Sequence, residues 1–121
     1  MPESFAFEKL NLIVKSIVAI ERRFAEIKYP DDFVKSENGE DMLDAILMRL
    51  MAIGENLKSI QAKDVKVLDS YPEIEWPNIM RFRDIVAHHY DALEYQIVFD
   101  ICKNHLPALK IVIQKMIIEL K

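Results

Sequence analysis

Residues 81–90, RFRDIVAHHY, place two of the chain's three histidines side by side and add Arg83 and Tyr90 to the same short stretch. The chain as a whole has a formal net charge of −4, so this concentration of cationic and titratable groups is local. Histidine side chains titrate near neutrality and can accept or donate a proton at physiological pH. An arginine fork binds phosphate oxygens and offsets charge that develops on them during a reaction. The stretch therefore predicts a phosphodiester site.

Cleavage of RNA by its own 2′-OH is the reaction that suits these groups. A histidine here can take the proton from the ribose 2′-OH or give one to the leaving 5′ oxygen. Arg83 can neutralise charge on the phosphorus oxygens. Such a reaction needs no metal or other cofactor, leaves a cyclic 2′,3′ phosphate and does not act on DNA. Which of His88 and His89 carries the proton is left open by the residue types alone.

The spacing of these residues limits how they can meet. Each residue of an ideal helix advances about 100°, so Arg83 and Tyr90, seven apart, lie nearly on one face. Arg83 and His88 are five apart, about 140° around, and do not meet on a straight, continuous helix. Either the helix unwinds near His88, or the same segment of a second chain completes the site. The sequence leaves both arrangements open.

Two other interpretations of the stretch need no phosphodiester. The cationic groups can cap helix carbonyls or pair with the carboxylates of Asp84, Asp91 or Glu94. A metal site is the second possibility, with candidate ligands His88, His89, His105, Cys102 and Asp84. Their spacing matches no compact ligand motif, and adjacent histidines on a helix do not easily bind one ion.

The elements that must position the stretch are helical. With two glycines and five prolines, the chain lacks the turn residues of a hairpin-rich sheet protein. Helical periodicity predicts one helix over residues 4–27, with Ser4 as its N-cap, and a second over 41–61. Gly54 lies inside the second helix, where glycine costs about 1 kcal/mol against alanine, and so predicts close approach by another helix or a ligand. Residues 62–77 are predicted to be a connection.

The third helix carries the RFRDIVAHHY stretch. It is predicted to begin near Pro77 or Asn78 and to end near His89 or Tyr90, because DALE (residues 91–94) has the form of a capping box. A fourth helix is then expected to run to about His105, before Pro107 kinks or restarts the chain. The last helix is apolar on more than one face, which indicates either a central place in the bundle or a subunit interface. The architecture predicted is an all-α bundle of four to five helices in one domain, 1–121.

Composition limits the cellular compartments and the binding surfaces that the sequence predicts. No apolar run approaches the roughly 18 residues of a membrane span, and the first twenty residues lack the pattern of a signal peptide. The single cysteine, Cys102, excludes an internal disulfide and fits a reducing cytoplasm. An acidic chain lacks an overall basic surface for nucleic acid, so RNA contacts must come from a local basic patch. Candidate guiding cations are scattered along the chain: Lys58, Lys63, Lys66 and Arg81.

The order Arg83, four residues, His88, one residue, Tyr90 resembles the R-x4-H-x-Y signature of HepT-like proteins in the HEPN superfamily. The surrounding sequence is similar to the same family in several segments: Asp32-Phe33, IGEN (53–56), YPEIEW (71–76), Val98 and HLPAL (105–109). The resemblance covers roughly residues 5–120. Two positions depart from the family's usual pattern. Asp84 stands where asparagine is commonest, and its carboxylate can pair with Arg83 and mute its charge. His89 stands where glycine is frequent, and it either supplies a second imidazole or fills space.

The resemblance implies a homodimeric HEPN bundle with its cleft at the dimer interface and the motif contributed by both chains. It implies a metal-independent endoribonuclease toxin with RNA as substrate, in which Arg83 and His88 are catalytic. It implies as partner a minimal nucleotidyltransferase (MNT) antitoxin that silences the toxin by transferring AMP to Tyr90. Glu55, beside Gly54, is expected to support the site by orienting Arg83. The alternative function is a non-catalytic helical module that scaffolds a nucleotidyltransferase or binds nucleotide.

Overall fold

A computed structural model describes residues 5–120, and all regular structure within them is helical. One π segment, Ile101–His105, joins the last two helices without a break, so the described residues form five separate helical rods. This confirms the prediction of an all-α bundle of four to five helices. The expected N-cap, Ser4, lies outside the described residues. The helices are α1 (Phe5–Phe24), α2 (Glu37–Lys63), α3 (Val65–Asp69), α4 (Trp76–His88), α5 (Tyr95–Asp100) and α6 (Leu106–Leu120).

The core lies between α1, α2 and α6, where the apolar stripes predicted from the periodicity turn inward. Each fully buried leucine or isoleucine contributes about 1.5–3 kcal/mol relative to an exposed position. α4 packs against α2, the longest helix, which therefore connects the core to the RFRDIVAHHY stretch. The fully or almost fully buried residues of α1 and α2 are Leu10, Ile13, Ile17, Ile20, Ile46, Ile53, Leu57 and Ile60.

The start of α2 lies four residues before the predicted one, at Glu37. Ser36 is the reason, because its side chain accepts a hydrogen bond from the Gly39 backbone N–H at 3.0 Å and so caps the helix. The predicted connection at 62–77 also contains the short helix α3, which Asp64 caps in the same way. Helix α4 begins at Trp76 with Pro77 in its first turn, as predicted.

The segment after α4 differs from the prediction. α4 ends at His88, a 3-10 turn spans Tyr90–Ala92, and α5 begins only at Tyr95. Glu94 occupies the N-cap position of α5 and makes no side-chain capping bond, so the predicted capping box over 91–94 is wrong. The 3-10 turn satisfies the backbone instead, through bonds from the N–H groups of residues 92 and 93 to the carbonyls of residues 89 and 90.

Pro107 does not interrupt the last helix, which corrects the prediction that it restarts the chain, while the kink that was the other form of this prediction stays a prediction. The backbone widens into the π segment just before Pro107 and continues directly into α6. A proline has no N–H to give to the preceding turn, and its ring conflicts with regular α geometry. A π turn at this point accommodates the ring and keeps α5 and α6 continuous.

α6 is not surrounded by the rest of its own chain. Its buried face packs on α1, but Ile111 and Ile118, seven residues apart, are 68% and 73% exposed. The central place in the bundle that the sequence left open is therefore not what this chain adopts, and the subunit-interface alternative stays a prediction. No helix of residues 5–120 is long and apolar enough to cross a bilayer.

Candidate functional site

Helix α4 lies very close to α2 where Arg83 meets Gly54. A Cβ atom placed on Gly54 would lie 2.9 Å from Arg83 Cγ, nearer still to Arg83 Cβ, and 3.5 Å from the Ile79 carbonyl oxygen. Any larger residue would have to push α4 away from α2. Gly54, which was predicted to allow the close approach of another helix, therefore lets Arg83 of the motif pack directly against α2.

Two carboxylates contact the Arg83 guanidinium, one at Nε and one at Nη1. Nε lies 2.5 Å from Glu55 Oε1, although the N–H group is not aimed at this oxygen, so the contact is ionic without an aligned hydrogen bond. Nη1 donates to Asp84 Oδ1 at 3.0 Å. The side chain is 23% exposed. Nη2 makes no hydrogen bond or ion pair within residues 5–120. Glu55 and Asp84, both expected to support the site, thus contact Arg83 directly.

Asp84 is shared between two cations. The Lys58 ammonium donates to the same oxygen, Oδ1, at 2.9 Å, from the turn of α2 that follows Glu55. These two cations, Lys58 first and then Arg83, hold the pKa of the Asp84 carboxyl below its usual value. We call Lys58, Arg83, Asp84 and Glu55 the charge network. Its four formal charges sum to zero.

Tyr90 is anchored at a different point of α2. Its hydroxyl donates to an oxygen of the Asp44 carboxylate, and this bond, together with partial burial, raises the pKa of Tyr90 to about 12. The phenol therefore stays protonated at neutral pH, with the side chain 48% exposed. Asp44 precedes Glu55 by eleven residues, or about 16 Å at the rise of an α-helix. Arg83 and Tyr90 are consequently fixed at separate places along α2.

His88 and His89 project into solvent. His88 is the last residue of α4 and His89 its C-cap, and within the described residues neither side chain makes a hydrogen bond or an ion pair. Since α4 is regular from Trp76 to His88, His88 lies about 140° around the helix from Arg83. One chain therefore does not gather the arginine, the histidine and the tyrosine of the motif around a common point.

The candidate metal ligands are also apart. His105 pairs through Nε2 with Asp100 Oδ2 at 3.2 Å, at the π segment. Cys102 is buried, and burial raises the pKa of its thiol to about 12. Across residues 5–120 no three histidine, cysteine or acidic side chains come together as a ligand set.

Sequence reasoning missed Asp44 altogether and treated Lys58 as a scattered surface cation. A signal for both was present in α2. Positions 44, 55 and 58 fall on one helical stripe, because eleven residues make just over three full turns and residues three apart are neighbours on one face. Polar side chains repeated along one stripe of a helix that is otherwise largely apolar on that side predict that something polar packs against it.

Comparison with known proteins places these residues in a family context. Residues 13–116 match the family profile described as "Ribonuclease HepT-like". The chain is 32% identical over 101 residues to "Probable ribonuclease HepT" of Thermococcus cleftensis, covering 84% of this chain and 86% of that one. It is 31% identical over 77 residues to "Putative RNase MJ0127" of Methanocaldococcus jannaschii, covering 64% of this chain and 59% of the relative.

A longer protein of the same archaeon contains a similar segment. "Gamma-glutamylcyclotransferase and putative RNase MJ0434" is 31% identical over 111 residues, which is 92% of this chain and 47% of that protein. The chain thus spans about half to three fifths of the two Methanocaldococcus relatives. No solved structure matches the chain.

Proposed function

The chain belongs to the HepT-like ribonuclease family, and we propose that it is a metal-independent endoribonuclease that cleaves RNA by attack of the 2′-OH. The observation that carries this proposal is the Arg83 guanidinium, whose Nε and Nη1 contact carboxylates while Nη2 has no partner within residues 5–120, on the helix that ends in the exposed His88. Residues 1–121 act in this proposal as one HEPN domain in the cytoplasm.

The proposed active species is a homodimer. One chain keeps Arg83 and His88 on different sides of α4, so a second copy supplies the group that the first cannot. Two exposed apolar side chains on the helices that carry the site favour such a contact: Ile85 on α4, 45% exposed, and Met48 on α2, 62% exposed. In the dimer, Arg83 of one copy and His88 of the other face one phosphate.

The reaction follows from these groups. The His88 imidazole accepts the 2′-OH proton as O2′ attacks the phosphorus, and Arg83 Nη2 binds the non-bridging oxygen on which charge develops. The P–O5′ bond breaks, the leaving oxygen takes a proton from a protonated imidazole, and a 2′,3′-cyclic phosphate remains. The exposed ring of Tyr90 offers a stacking surface for an unpaired base.

Product analysis tests this proposal. The purified chain with unmodified Tyr90 should cleave single-stranded RNA in EDTA and leave 2′,3′-cyclic phosphate ends. DNA and RNA carrying 2′-O-methyl groups should stay intact, because the nucleophile is missing. Ends bearing a 3′-hydroxyl, or loss of cleavage in EDTA that added Mg²⁺ restores, would contradict the mechanism.

We further propose that the protein is the toxin of a toxin–antitoxin pair, silenced when an MNT antitoxin transfers AMP to Tyr90. The phenol oxygen attacks the α-phosphorus of ATP, pyrophosphate leaves and the phenol proton passes to a base. Support comes from the half-exposed Tyr90 side chain, whose hydroxyl already donates to Asp44. The added phosphodiester and base would repel and obstruct RNA phosphates that approach Tyr90.

Mass spectrometry of the protein co-expressed with a neighbouring nucleotidyltransferase tests the modification. We expect mass increments in multiples of one AMP, which Tyr90→Phe abolishes. Tyr95→Phe is the matched control. Tyr95 lies on the next helix, α5, and its hydroxyl likewise donates a hydrogen bond to an aspartate, Asp31, at 2.8 Å. Equal labelling of the Tyr90→Phe protein would place the modification elsewhere.

A second candidate function is the non-catalytic binding module. The observation that favours it is the pairing of Arg83 with both Glu55 and Asp84, which offsets the charge a phosphate would seek. Failure of the unmodified protein to cleave any RNA, while it still binds the nucleotidyltransferase, would support this function over the ribonuclease.

A further inference from the structure

Lys58 and Arg83 both contact the same oxygen atom, Oδ1 of Asp84. Both cations lie about 3 Å from Asp84 Oδ1, so their nitrogens are within about 6 Å of each other despite like charge. Lys58 comes from α2 and Arg83 from α4, and Asp84 is the only group of the charge network that touches both. The Lys58 side chain is 41% exposed and that of Asp84 44%, so both are accessible to solvent beside Arg83.

We propose that Lys58 is a positioning residue of the ribonuclease site, which acts on Arg83 through Asp84. Because Lys58 also pairs with the Asp84 carboxylate, that carboxylate does not fully neutralise the charge of the guanidinium. Arg83 therefore remains able to bind a phosphate. This inference rests on the proposed RNA-cleaving function. It assigns a role to a lysine outside the R-x4-H-x-Y motif, and it explains how an aspartate beside Arg83 is compatible with phosphate binding.

The charges of the network decide what removal of each member does. With all four groups present the formal charge is zero, and a phosphate meets a guanidinium whose carboxylates are balanced by Lys58. Without Lys58 the network carries one net negative charge, and Asp84 has Arg83 as its single cation. A phosphate that approaches Arg83 is then opposed by an unbalanced carboxylate only one residue away. Without both Lys58 and Asp84 the formal charge returns to zero.

A double-mutant cycle measures this coupling. We expect Lys58→Met to weaken binding of a 2′-O-methyl RNA oligonucleotide about five- to tenfold, and to raise KM for cleavable RNA similarly with little change in kcat, since the charges are partly exposed. Asp84→Asn alone should bind RNA more tightly than wild type. The double variant Lys58→Met/Asp84→Asn should bind RNA within about twofold of Asp84→Asn alone, so that Lys58→Met loses most of its effect once residue 84 is neutral, which is a non-additive result.

Lys15→Met is the matched control, because it removes one positive charge from an exposed lysine of α1 that forms no ion pair in the described chain. It should shift RNA affinity less than twofold. Thermal unfolding of every variant checks that the fold is kept. If Lys58→Met remains equally weak in the Asp84→Asn background, Lys58 contacts RNA itself and the inference is overturned, while cleavage by wild type leaves the proposed function standing. If wild type neither binds nor cleaves RNA, the proposed function and this inference both fail.

Discussion

Replacement of His88 by alanine should lower the rate of RNA cleavage by about 10²–10⁴-fold, the range for loss of a general acid or base. RNA affinity should change less than threefold, because the phosphate is held by Arg83. The physical reason is that the imidazole moves a proton in the transition state and contributes little to the ground state. Single-turnover cleavage with saturating enzyme, together with binding to 2′-O-methyl RNA, separates the two effects.

His89→Ala is the matched control for this experiment. His89 adjoins His88, is equally exposed and makes no hydrogen bond or ion pair within residues 5–120, so both substitutions should leave the unfolding temperature nearly unchanged. We expect His89→Ala to keep at least a tenth of the wild-type rate. If His89→Ala instead loses the larger share and His88→Ala keeps its activity, the proton carrier is His89. Equal cleavage by both variants and wild type would exclude imidazole catalysis at this helix end.

The helices were predictable because burial here follows simple periodicity. α1 and α2 each present an unbroken apolar stripe, and the structure buries those stripes almost completely. The errors of prediction occur at helix ends, where one or two side chains determine the residue at which a helix begins or ends. Ser36 was not recognised as the cap of α2, and the pattern at 91–94 was taken for a cap that the chain does not use. Capping depends on backbone geometry after folding, which periodicity does not report.

The candidate site was predictable in its residue types but only partly in its contacts. Gly54 signalled the close approach of a helix by its place inside α2, and the resemblance indicated Glu55 as a support for Arg83. The bond from Tyr90 to Asp44 joins residues 46 positions apart, and no local pattern encodes such a pairing. The contact of Lys58 with Asp84 was equally unpredictable, because the sequence does not show which carboxylate an exposed lysine pairs with until the packing of α4 on α2 is known.

The helical spacing of Arg83 and His88 leads to the second large prediction, which concerns two inactive proteins. Arg83→Ala and His88→Ala should each fall to about 1% of wild-type cleavage or less. When the two are unfolded together, mixed and refolded, half of the dimers carry one copy of each. If a site takes Arg83 from one copy and His88 from the other, every mixed dimer has one intact site and one site that lacks both groups. The mixture should then recover about a quarter of wild-type activity, at least twentyfold above either parent.

A site assembled within one chain gives the opposite result. Each copy in a mixed dimer would then lack one essential group, so the mixture would stay as inactive as its parents. Refolded wild type sets the full scale, and a mixture of Arg83→Ala with the double variant Arg83→Ala/His88→Ala controls for refolding, because no site in it contains an arginine. Recovery must also depend on subunit exchange, so the two variants mixed without unfolding should stay inactive as long as their dimers do not exchange. Since α4 keeps Arg83 and His88 about 140° apart around its axis, recovery in the mixture is the outcome that the geometry of one chain favours.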